Sequence, residues 1–225
     1  MKLDIIAGAR PNFMKIAPII EQLEKVKSRI QYRLIHTGQH YDKKMSGSFF
    51  EELGIPDPDV NLEIGSGTQT EQTARIMERY EALLLKDMTD FSLVVGDVTS
   101  TMACAIAAKK LGVKIIHVEG GIRSNDITMP EEINRMVTDS ITDIFYTTSE
   151  VANKNLRQLG HDESKIRYVG NTMIDTLLKS MPRFKQPEVF SELDLKEKGY
   201  FVMTLHRPAK CRSRAEVKIS NWRNC

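Results

Sequence analysis

Cysteine is scarce: three in 225 residues, at positions 104, 211 and 225, with no pairing pattern. That excludes a disulfide framework and suits a reducing compartment, so a cytoplasmic location is expected. Long apolar runs are missing as well. No stretch approaches the roughly 18 residues that a transmembrane helix needs. Nor is there an excess of charge of one sign. The formal net charge is +2, which leaves no electrostatic case for binding nucleic acid or a membrane surface. The five histidines show no metal-ligand spacing, and Cys104 falls inside a helical pattern, so no metal is expected. Neither a G-x-G-x-x-G nor a Walker A sequence occurs, which disfavours NAD and ATP. What is present is 41% hydrophobic residues, enough to bury the core of one large domain or one and a half.

Apolar strand-like runs alternate with helical patterns. Leu3–Gly8 reads as a buried strand, since Asp4 and Arg10 argue against a signal peptide. Pro11–Val26 reads as a helix with Phe13, Ile16, Ile19, Ile20 and Leu23 on one face. Strands are expected at Tyr32–Thr37, Ser92–Val95, Lys114–Val118, Asp143–Tyr146 and Ile166–Val169. Helices are expected at Ser46–Leu53, Thr70–Leu85, Thr101–Leu111, Glu131–Ser140, Glu150–Leu159 and Thr172–Ser180. That alternation predicts an α/β domain with a doubly wound parallel sheet, Rossmann-like, over residues 1–181. Residues 182–199 are polar and proline-punctuated and read as a linker. Tyr200–Thr204 reads as a new strand, so residues 200–209 would open a second domain.

In such sheets ligands sit beyond the C-terminal strand ends, and the candidate residues fall there. Gly8-Ala9-Arg10-Pro11-Asn12 followed by Lys15 is a strand-to-helix loop. Its backbone N–H groups, with Arg10 and Lys15, suit a phosphate. Asp97 follows Val95 and Gly96, where it would be either a helix cap or a base and hydroxyl acceptor. Glu119 follows the apolar run Ile115–Val118. Desolvation there would suit it to acid/base work, unless it merely pairs with Arg123. Glu131 and Arg135 lie four apart after Pro130 and could be an ordinary i,i+4 ion pair or part of the same site. His206, in Leu205-His206-Arg207-Pro208, ends the Tyr200–Thr204 strand. His36 and His40 flank another strand-end loop and could shape the pocket.

These segments, with Thr37-Gly38-Gln39-His40-Tyr41-Asp42, His117-Val118-Glu119 and Pro130-Glu131-Glu132-Ile133-Asn134-Arg135, resemble the non-hydrolysing UDP-N-acetylglucosamine 2-epimerases in order over residues 1–209. One departure is Gly120, where that family usually has alanine. The resemblance implies a two-domain fold of the B-type glycosyltransferase kind (GT-B), of which this chain holds the N-terminal half. It implies interconversion of UDP-GlcNAc and UDP-ManNAc in a homodimer without a cofactor, supplying surface polysaccharide. The C2 proton of the sugar is not acidic, and the family's route is elimination of UDP to a 2-acetamidoglucal followed by re-addition. Asp97, Glu119, Glu131 and His206 are then the catalytic candidates. Arg10, Lys15, Asp97, Glu119, Arg135 and His206 are the substrate-binding candidates. Which carboxylate serves which face stays open. A glycosyltransferase of the same architecture, a hydrolysing epimerase, and a non-catalytic sugar-nucleotide-binding fragment are the competing readings.

Residues 210–225 read differently from the rest. Five basic residues against the single acid Glu216 give this segment +4, leaving −2 over the other 209 residues. It also holds the only tryptophan, Trp222, and fits neither helix nor strand periodicity. It reads as an aberrant basic tail, either a binding segment or an out-of-frame translation. A codon choice exists for Lys210–Lys218 in which loss of one A yields Asn-Val-Asp-Arg-Glu-Arg-Lys-Leu, a sequence like the family's. The expectation is a frameshifted, truncated and nearly inactive chain. Resequencing from the codon of Thr204 past that of Cys225 checks it, and one nucleotide fewer should restore an open frame.

Overall fold

The computed structural model describes residues 1–38 and 50–202. Seven parallel strands form one sheet in the order β3-β2-β1-β4-β5-β6-β7. They are β1 Lys2–Ala7, β2 Gln31–His36, β3 Val60–Asn61, β4 Phe91–Val95, β5 Lys114–Val118, β6 Ile144–Thr147 and β7 Ile166–Tyr168. The registers Ile5↔Leu34 and Ile5↔Leu93 place β1 between β2 and β4, where the order of the strands reverses. Such a reversal leaves a crevice at the C-terminal ends of the two central strands. The expected doubly wound sheet is therefore present, with β3 added, a two-residue strand too short to show any periodicity.

The helices are α1 Arg10–Lys25, α2 Gln69–Lys86, α3 Thr99–Lys110, α4 Pro130–Ile141, α5 Glu150–Gln158, α6 Thr172–Ser180 and α7 Glu188–Glu192. Residues 50–53 are also helical; the rest of the helix expected at Ser46–Leu53 lies outside the described residues. Successive strand residues serve opposite faces, as the pleat requires. Ile5, Leu34, Leu93 and Ile116 pack with Phe13, Ile16 and Ile20 of α1. Their neighbours Ile6, Ile35, Val94 and Ile115 pack with Ile76, Tyr80 and Leu84 of α2 and the small residues Ala103, Cys104 and Ala107 of α3. Among the described residues no helix is long and apolar enough to cross a membrane.

Two local devices shape these helices. Thr68 caps α2, accepting from Glu71 N at 3.2 Å while Glu71 Oε2 accepts from Thr68 N at 2.9 Å. In α1, Pro18 has no N–H, so the carbonyl of Met14, four residues back, loses its helical donor. The hydroxyl of Thr176 on α6 donates to that carbonyl at 2.6 Å. A proline that would otherwise weaken α1 thereby fixes where α6 docks.

The chain divides into two units, Met1–Pro182 and Arg183–Cys225. In the second, the stretch read as a linker contains the short helix α7. The ring of Phe190 meets Tyr200 edge-on at 5.7 Å. Tyr200, Phe201 and Val202 form no strand, which corrects the expectation for Tyr200–Thr204 as far as it is described. Val202 is 82% exposed.

Thr176→Val removes the donor to Met14 while keeping side-chain volume. A loss of about 1 kcal/mol is expected in denaturant melts, with Thr176→Ser close to the parent.

Candidate active site at the strand ends

The loop after β1 is closed by Asn12. Its Oδ1 accepts from Gly8 N at 3.1 Å and Ala9 N at 3.0 Å, and its Nδ2 donates to Val95 O at 3.0 Å. One amide thus ties the ends of β1 and β4 together. It also occupies two of the N–H groups that the sequence reading assigns to a phosphate, so that part of the expected cradle is already filled. Arg10 is exposed at the start of α1.

Lys15, one turn into α1, reaches Glu119 Oε2 at 2.5 Å, with the two side chains 13% and 10% exposed. Glu119 therefore sits in an ion pair with Lys15, not alone against an apolar wall and not with Arg123. Its backbone has φ +70°, a left-handed conformation that costs a non-glycine residue of order 1 kcal/mol and persists only where contacts impose it. One such contact is its own N–H, which donates to Tyr146 O at 2.8 Å. Gly96 makes room for the pair. It has φ +69°, and a Cβ there would lie 3.1 Å from Lys15 Nζ and 3.4 Å from Glu119 Oε2.

Asp97 is not a helix cap, because Val98 occupies the cap position of α3 and no side chain caps it. The Asp97 carboxylate instead accepts from Arg135 of α4. Asn134 Nδ2 donates to the Asp97 carbonyl at 2.8 Å, so α4 grips both ends of this residue. In place of the i,i+4 pair that was one reading of Glu131 and Arg135, Arg135 contacts Glu132 Oε2 at 3.0 Å, three residues back. Glu132 also accepts from the backbone N–H groups of Ser124 and Asn125. Burial pushes its carboxyl up, but those N–H groups and Arg135 outweigh it and hold the group below the usual carboxylate range. Glu131 is half-buried beside it. Two adjacent glutamates look alike in sequence; the helical turn decides which one braces the loop.

His36 is buried, stacked on Phe13 at 5.4 Å, and its Nδ1 accepts from Gly38 N. Burial lowers its affinity for a proton, which suits a structural ring. His206 and His40 lie outside the described residues. Among the described residues no group of three or more His, Cys, Asp or Glu side chains is placed to hold a metal ion. The structure thus brings together Lys15 with Glu119, and Arg135 with Asp97.

Sequence reading missed Asp139. It is 1% exposed on α4 and accepts from His117 Nδ1 at 2.7 Å and Gly121 N at 3.0 Å. Arg123 Nη1 lies 2.7 Å from Asp139 Oδ2, the oxygen that Gly121 N also reaches. The signal available was an acid on the inward face of an amphipathic helix. Gly120 packs over this cluster, and a Cβ there would lie 2.7 Å from Phe145 Cδ1. An alanine would need Phe145 to move.

Comparison with known proteins gives a consistent result. The family model described as UDP-N-acetylglucosamine 2-epimerase matches residues 22–222, which includes most of the segment set apart as a tail. The UDP-N-acetylglucosamine 2-epimerase of Methanocaldococcus jannaschii is 42% identical over 221 residues, covering 97% of this chain and 60% of that protein. The UDP-2,3-diacetamido-2,3-dideoxy-D-glucuronate 2-epimerase of Pseudomonas aeruginosa is 41% identical over 209 residues, covering 92% of this chain and 58% of that protein. The crystal structure of the M. jannaschii enzyme in complex with UDP-GlcNAc and UDP superposes with a TM-score of 0.79 at 44% identity, over 86% of this chain and 53% of that one. The chain therefore spans a little over half the length of the relatives it matches. Its sheet is the Rossmann-like half of a GT-B-type fold.

Burial pushes the carboxyl of Asp139 up, but His117 and Arg123 outweigh it and hold the group below the 3.8 of a free carboxyl. The sign follows: the stabilisation is present above pH 3.8 and is lost as pH falls through the lower folded value. Acid unfolding of the parent should show this loss, and Asp139→Asn should flatten that limb of the stability profile.

Proposed function

The chain belongs to the UDP-N-acetylglucosamine 2-epimerase family, and we propose that it carries the catalytic carboxylates of an enzyme that inverts C2 of UDP-GlcNAc to give UDP-ManNAc. One observation carries this reading. Asp97 and Glu119 stand at the ends of adjacent parallel strands, each paired with a cation that a diphosphate would also attract. In the elimination step a carboxylate takes the C2 proton, and the C1–O bond breaks with its electron pair leaving on UDP. Re-addition returns the UDP oxygen to C1 and a proton to the other face of C2. Two faces call for more than one acid/base group. Asp97, Glu119 and Glu131 are the candidates, and the assignment of faces is left open. Developing positive charge at C1 is favoured by the same carboxylates. Arg10, Lys15, Arg135 and His206 are the candidates to meet the leaving diphosphate. The reading includes a cytoplasmic homodimer that needs no cofactor and supplies an activated sugar for surface polysaccharide.

The test splices residues 1–202 onto the second half of the M. jannaschii relative and follows UDP-GlcNAc in D2O by proton NMR. Deuterium at C2 and the appearance of UDP-ManNAc are expected. Glu119→Gln and Asp97→Asn should each slow exchange by about 10²–10⁴-fold, the range for loss of a general acid or base. A folded spliced protein that leaves C2 untouched, beside an active M. jannaschii parent, overturns the reading. UDP-2,3-diacetamido-2,3-dideoxy-D-glucuronate, run alongside, decides between the two relatives' sugars.

A further inference from the structure

His117 is fully buried at the end of β5, two residues before Glu119, and nothing in the proposed chemistry uses it. Its ring bridges two elements: Nδ1 lies 2.7 Å from Asp139 Oδ1, and Nε2 lies 2.9 Å from Gly96 O. The other oxygen of Asp139 accepts from Gly121 N at 3.0 Å. One buried side-chain pair is thus bonded to the residue just before Asp97 and to the residue two after Glu119. Asp139 itself lies one turn beyond Arg135 on α4.

One of the two turns it holds is not one the chain adopts freely. Glu119 has φ of +70°, and such backbone in a non-glycine residue persists only where surrounding contacts over-determine it; Gly96, at φ +69°, takes its turn at little cost. The ion pairs Lys15–Glu119 and Asp97–Arg135 are partly solvated, so they hold geometry less tightly than a dry hydrogen-bonded cluster.

We propose that His117 and Asp139 are positioning residues, a buried clip that sets the placement of Asp97 relative to Glu119. Neither touches the reacting atoms in this assignment. The catalytic consequence rests on the epimerase reading; the clip itself does not.

Amide hydrogen exchange on the 225-residue chain tests the clip without any turnover. Asparagine at 117 reaches the Nδ1 partner only, whereas glutamine carries its amide toward the Nε2 partner. His117→Asn should speed exchange at Gly96, Glu119 and Gly121 by about tenfold or more while β1 and α2 stay within about twofold. His117→Gln should return Gly96 toward the parent rate. Uniform acceleration across the sheet would reduce His117 to a general stabiliser, and unchanged loop amides would remove the clip; either result overturns the proposal.

The spliced enzyme then tests the consequence. Misplacing a base by about 1 Å can cost about 10²-fold in rate. His117→Asn should lower turnover per folded molecule and raise the ratio of released UDP and 2-acetamidoglucal to UDP-ManNAc. Loss of folded protein alone cannot move that ratio, so an unchanged ratio overturns the positioning role. If the spliced parent leaves C2 untouched, the epimerase reading fails and the exchange data still decide the clip.

Discussion

A carboxylate brought to the end of a buried strand needs a partner, because desolvated charge is costly alone. Around this sheet each such partner comes from a different part of the chain. Glu119 of the β5 end meets Lys15 of α1, 104 residues away. Asp97 of the β4 end meets Arg135 of α4, 38 residues away. Asp139 meets His117 and Arg123. The strand ends, α1 and α4 are therefore mutually dependent: Glu119 cannot be placed until α1 has docked, nor Asp97 until α4 has, and Asp139 on α4 is placed in turn by the end of β5 and the loop after it.

The sheet supplies the frame for that matching. With helices on both faces, alternate residues of every central strand are consumed by packing, and polar groups can gather only where the strands stop. The reversal of strand order between β1 and β4 makes the gap, and Asn12 spans it through Val95 O. Pro18 acts at longer range, since the carbonyl it frees on Met14 receives Thr176 and so fixes α6 against α1. Local backbone chemistry, not only apolar area, decides how the outer helices register on the sheet.

Much of this was legible in the sequence, and the reasons can be named. The runs at Leu3–Gly8 and Lys114–Val118 announce buried parallel strands by apolar continuity, and the amphipathic period of Thr70–Leu85 announces α2. Short elements carry too few residues for a period, so β3 and α7 went unread. Of the candidate site, Lys15, Asp97, Glu119 and Arg135 were legible because strand ends are where ligands go. Their pairing was not. Sequence spacing offers Arg123 to Glu119 and Glu131 to Arg135, and three-dimensional docking chose Lys15 and Asp97 instead. Asp139 was missed because an acid on the inward face of an amphipathic helix is a faint signal until its histidine is seen beside it.

The pairing has a consequence for binding. Lys15 and Arg135 are each already neutralised by a carboxylate, so at these positions a diphosphate meets two ion pairs and not two open cations. On the epimerase reading it gains only the difference between its own contacts and those it displaces, and displacement frees the carboxylates proposed to move the proton. Net attraction at the sugar end is then small, and interactions that serve displacement are better realised in the transition state than in initial binding. On the epimerase reading, affinity must come chiefly from the nucleotide end, and the sugar end is reserved for moving a proton.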